Sequence, residues 1–145
     1  MVAQCVLYAT QGEEKLVGEA VHGEMTVKRD LKAVAEVRQF VRLVMGGWDV
    51  DDFIPCLIAS ELVTNAIRYA TTADDEVIFR IGRTGDGAVW VEVQDSTCAM
   101  PRIESADING ESGRGLFVVE QFTRCWGARP LAGGVGKVVF AVLNP

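Results

Sequence analysis

Apolar residues recur at helical spacing in three stretches of this chain and alternate with polar ones in several others. From Leu31, positions Leu31, Val34, Val37, Val41 and Val44 hold a helical repeat that Gly46-Gly47 stop, with Asp30 placed to cap its start. A second helix is expected to start at Asp49-Val50-Asp51-Asp52, whose carboxylates suit the positive end of a helix dipole. Pro55 is tolerable in its first turn, and the helix runs to about Ala70. Glu76 to Arg83 and Ala88 to Gln94 alternate as a hairpin around Gly85-Asp86-Gly87. In the second strand Val89, Val91 and Val93 point one way, and Trp90, Glu92 and Gln94 the other. Arg114 to Trp126 reads as a third helix, followed by closing strands from Trp126 to Pro130 and Lys137 to Leu143. Val2 to Thr10 and Glu24 to Lys28 also read as extended. Asp95 to Gly113 shows little periodicity, and a connection this long in a compact domain is usually functional or mobile. The layout is α+β: a two-layer sandwich, a mixed β-sheet covered by helices on one face.

Length and charge narrow this picture. At 145 residues the chain suits one domain with one core. Its net charge of -6 offers no basic excess for nucleic acid, so direct nucleic-acid binding is not expected. No apolar run reaches the roughly 20 residues of a membrane span, and the first residues lack the form of a signal peptide. A cytoplasmic protein is expected. The four cysteines, Cys5, Cys56, Cys98 and Cys125, lack metal-like spacing. Cys5, Cys56 and Cys125 sit in apolar settings that suit buried thiols, and His22 reads as a surface residue in a loop. Arg29, Lys32, Arg38 and Arg42 make the first long helix basic, which is either a solvated face or a docking surface for an acidic partner.

The chemistry concentrates in Glu61-Leu62-Val63-Thr64-Asn65-Ala66-Ile67-Arg68. At i, i+4 and i+7 the carboxylate of Glu61, the carboxamide of Asn65 and the guanidinium of Arg68 share one helix face. A proton acceptor, a neutral metal ligand and a cation together suit a metal-bound polyphosphate. Gly113-Arg114-Gly115 offers unpaired backbone N–H groups at a helix start, where phosphate can be cradled. Asp95 ends an apolar strand just before the long connection, where its carboxylate can accept from an amino group such as that of adenine.

Those segments resemble the ATP-binding fold of type II topoisomerases, histidine kinases and MutL, and within that group the anti-sigma-factor serine/threonine kinases of actinobacteria. Ser60 to Ala70 is similar to that family's first box; Gly113-Arg114-Gly115-Leu116-Phe117-Val118-Val119, Trp126-Gly127 and Gly136-Lys137-Val138-Val139-Phe140 are similar to its third box and tail. The resemblance implies a Bergerat-type fold over residues 24–145, with 1–23 as an N-terminal extension. It implies ATP and magnesium as ligands, with Glu61 as general base and Asn65 as magnesium ligand. Asp95 would receive the adenine amino group, and Arg68, Gly113, Arg114, Gly115 and Leu116 would complete the site, the glycine-rich segment lying against the phosphates. The implied partners are a sigma factor and an anti-anti-sigma-type antagonist, with homodimerisation left open. The second box departs from its usual Asp-x-Gly-x-Gly, reading Asp95-Ser96-Thr97-Cys98-Ala99, and Tyr69 stands where histidine is frequent.

Two functions follow from different features. Glu61 suits an enzyme that takes a proton from a hydroxyl on Ser or Thr of a protein antagonist. The missing glycines suit a regulatory module that holds a sigma factor or similar partner with weak nucleotide binding or none. The catalytic half of a histidine kinase is not expected, because no helical hairpin bearing a phospho-accepting histidine precedes the domain.

Overall fold

The alternating segments become the strands of a single sheet, on one face of which two long helices pack. The computed structural model describes residues 21–69, 76–96, 119–131 and 136–143. Strand β1 (Val21–Val27) leads to helix α1 (Ala33–Met45) and helix α2 (Phe53–Tyr69). Strands β2 (Val77–Arg83) and β3 (Val89–Asp95) form the expected hairpin, and β4 (Thr123–Pro130) and β5 (Lys137–Leu143) close the sheet. The strand order is β1-β2-β3-β5-β4. The α+β sandwich stands, and every pairing among the described strands is antiparallel rather than mixed.

Local chemistry sets the helix starts. Asp30 Oδ1 accepts from Lys32 N at 2.9 Å, tightening the turn before α1, which begins at Ala33 instead of Leu31. Asp51 does the same for Phe53 at 2.9 Å, so α2 begins at Phe53 and the acidic run precedes the helix instead of opening it. On α1, Val34, Val37, Val41 and Met45 are buried at helical spacing. They meet Ile58, Leu62, Val63 and Ala66 of α2, with Phe79, Val91, Val93, Val139 and Ala141 from the sheet.

The strand parity read for β3 holds. Val89, Val91 and Val93 face the helices, while Trp90 joins Ala88, Phe140 and Val142 in a second apolar cluster on the opposite face. That face turns polar alongside: Arg80 reaches Glu24 at 2.6 Å, Glu92 at 3.1 Å and Gln94 at 3.0 Å. Arg80 is the Cα partner of both Glu24 and Glu92, so the ladder itself aligns these charges. Thr84 closes the hairpin by accepting from Ala88 N at 2.9 Å and bonding Asp86. Arg124 and Thr84 together hold the Asp86 carboxyl well below the usual range.

Two expectations are corrected here. His22 lies within β1, not a loop, and meets Trp48 edge to face at 5.2 Å. The helical reading of Arg114 to Trp126 overruns: the described residues are helical only over 119–122, and Thr123 already begins β4. Pairing with β5 supplies Trp126 and its neighbours with backbone partners that a helix would compete for, so tertiary context overrides the local pattern. The strand expected over residues 2–10 lies outside the described residues.

Candidate functional site

Burial along α2 separates its core face from its polar face. Leu62, Val63, Ala66 and Ile67 are buried, Glu61 and Asn65 are half-buried, and Arg68 is exposed. The stripe read from i, i+4, i+7 spacing therefore borders the core at Glu61 and Asn65 and reaches solvent at Arg68. Burial raises the pKa of Glu61 above its ordinary value of 4.5, and the nearby Arg68 charge partly offsets this. The folded chain thus holds that proton more tightly than the unfolded one. This group's contribution to stability is full below pH 4.5 and is lost as pH rises through the folded pKa. Stability is conceded at neutral pH, and a more basic carboxylate is obtained in return.

Glu61 also borders a cavity of about 300 Å³ between α1 and α2, with Arg38, Arg42, Cys56 and Ser60 in its wall. Arg38 Nη1 donates to Ser60 Oγ at 3.2 Å, and Ser60 Oγ donates to the Cys56 carbonyl at 2.7 Å. Two of the basic residues on α1 therefore share this cavity wall with the candidate base. Burial pushes the Cys56 thiol up, with Arg42 opposing, which keeps it in the inert thiol form.

Asp95 closes β3 on the helix-facing side, since it shares parity with Val91 and Val93. Its end of the sheet follows from the packing of α2. The first turns of α2, at Ile54 and Pro55, sit with Val89 and Leu143 around a cavity of about 230 Å³. Helix α2 packs along β3 from there. Its 17 residues span about 25 Å and the 7 residues of β3 about 23 Å. The helix starts beside the Val89 end of β3, and the two elements are of similar length.

The structure adds a residue to which the sequence reading gave no role. Lys137 is the Cα partner of Asp95 across β3 and β5. Its Nζ lies 3.0 Å from both Asp95 oxygens, with the side chains only 4% and 1% exposed. The preceding Gly136 has φ +96°, and a Cβ there would collide with the Asp95 carbonyl oxygen. Leu131 N donates to Gly136 O at 3.0 Å, tying the residue after β4 to the one before β5. The signal was present in the sequence, since Gly-Lys opens the last strand just as Asp closes the third. Strand order, however, was needed to place them opposite one another.

Gly113, Arg114, Gly115 and Leu116 lie outside the described residues, as does Cys98. Among the described residues no cluster of three His, Cys, Asp or Glu side chains could hold a metal ion. Magnesium beside a nucleotide needs no such cluster, because phosphates and water fill most of its coordination sphere and few protein oxygens are required. Asn65, half-buried beside a carboxylate and an arginine, supplies such an oxygen.

The sequence matches the model of the histidine-kinase-like ATPase domain over residues 27–139. The chain belongs to that family, and membership makes ATP the expected ligand. No curated protein matches it. Among the described residues no helix is long and apolar enough to cross a membrane.

Proposed function

We propose that this protein is an ATP-binding regulator of the anti-sigma-factor kinase type, transferring the γ-phosphoryl group of Mg-ATP to Ser or Thr of a protein antagonist. The observation that carries the reading is Glu61, a half-buried carboxylate with a raised pKa on the same helix face as Asn65. Magnesium-bound ATP supplies the phosphoryl group and the neutralisation of its charge. Asn65 Oδ1 would hold the metal, and Asp95 would read the adenine amino group. Arg68, Gly113, Arg114, Gly115 and Leu116 would serve the phosphates. Glu61 would take the proton from the attacking hydroxyl as its oxygen bonds to the γ-phosphorus and the bond to the departing ADP breaks. A sigma factor and an anti-anti-sigma-type protein in the cytoplasm are the partners this activity calls for.

A second reading is a regulatory module that holds a protein partner without catalysis. The buried Lys137–Asp95 pair favours it, because the base-reading carboxylate is already engaged.

Calorimetric titration of Mg-ATP into the purified chain tests the first reading. The parent should bind, and Asn65→Ala should lose at least about tenfold in magnesium-dependent affinity with an unchanged apo melting temperature. A mutant that binds Mg-ATP as tightly as the parent would remove α2 from the site.

A further inference from the structure

We propose that Lys137 sets the nucleotide affinity of this protein by competing with the base for Asp95. The inference rests on Asp95 being the base-reading group. A carboxylate has about four lone-pair sites, and the ammonium engages both oxygens at 3.0 Å. With the two side chains 4% and 1% exposed, the remaining sites are closed to an incoming amino group while Lys137 stays in place. A neutral amino donor is also weaker than the charge-assisted one it replaces. Base binding therefore requires an exchange of partners, in which the ammonium leaves and the amino group arrives.

The local backbone permits that exchange. Lys137 is the first residue of β5, and Gly136 before it already sits in a turn conformation. The four-carbon stem can carry its charge outward without breaking the ladder between β3 and β5. Only the fraction of molecules with Lys137 withdrawn can take the base, and apparent affinity falls by that fraction. Lys137 is thus an affinity-setting residue, acting on the ligand through Asp95.

The test compares the full chain with Lys137→Met, which keeps the stem and removes the ammonium, and Lys137→Gln, which keeps a neutral donor. Dissociation constants for Mg-ATP are measured by calorimetry, together with the ATP-induced shift in melting temperature. Lys137→Met should bind Mg-ATP about tenfold or more tighter than the parent and show the larger thermal shift. Lys137→Gln should fall between the two, and it carries the test should the methionine variant not fold. Two controls make the readout specific to the base edge. The gain should vanish in the double variant with Asp95→Asn, and it should be absent for inosine triphosphate, which lacks the exocyclic amino group. A parent that binds ATP, with folded Lys137 variants of equal or weaker affinity, overturns the competition and leaves the proposed ATP site standing. ATP binding by the variants alone supports the competition. Failure of the parent and every variant to bind nucleotide overturns both.

Discussion

Gly136→Ala is expected to destabilise the fold by about 2–6 kcal/mol, from the sum of backbone strain and overpacking. At φ +96° a residue with a Cβ is strained, and the new atom would meet the Asp95 carbonyl oxygen, a backbone atom that cannot swing aside. Leu131 Cδ1 at 2.9 Å and Ser96 Cα at 3.1 Å close the other directions. Relief would require β3 and β5 to separate where Asp95 and Lys137 pair, so the ion pair would loosen as well. Urea denaturation of parent and mutant measures the loss. Gly47→Ala is the control, because a Cβ there meets nothing within 4 Å, and it should change stability by less than about 1 kcal/mol. A Gly136→Ala protein as stable as that control would show that the turn and the pair are not coupled.

Glu61→Gln should depress phosphotransfer to a cognate antagonist by about a hundredfold or more while leaving Mg-ATP affinity within a few-fold of the parent. The amide keeps the shape of the side chain and cannot take the proton. Positioning by the metal and the phosphate contacts survives, so a residual rate should remain. The pH profile gives a second signature. The base works only when ionised, and burial raises its pKa, so the acid limb of the rate should lie above pH 4.5 and disappear in the mutant. A mutant that transfers phosphate at the parental rate would deny Glu61 the role of base. A parent that binds ATP yet phosphorylates no cognate antagonist would favour the non-catalytic reading.

Those two residues also show where sequence was informative. Glu61 was legible because helical periodicity fixes which side chains share a face, and burial then follows the same 3.6-residue repeat. The β2–β3 hairpin was legible for a similar reason, since a strand's period of two and a glycine-rich turn are both local. The β3–β5 neighbour relation was not, because nothing in the local pattern of Lys137 says which strand lies beside it. The pairing of Lys137 with Asp95 depended on that relation. The expected helix from Arg114 to Trp126 failed on the same ground. Its apolar residues satisfy a helical count, and the non-local ladder with β5 decides otherwise from Thr123 onward. The terminal acids Asp30 and Asp51 were placed within a few residues of the real helix starts, because an aspartate bonding the N–H two residues on can precede a helix as readily as cap one.

The strand order also bears on the route by which the molecule folds. Pairs β2–β3 and β4–β5 are neighbours in sequence, and each can close over a short loop. The β3–β5 seam between them joins residues 42 positions apart at Asp95 and Lys137, so it carries the larger entropy of closure. Two hairpins should therefore form early and the seam between them late. The carboxylate–ammonium pair that spans the seam would be among the last contacts made, and the chain would complete the corner proposed to read the base only as it completes its fold.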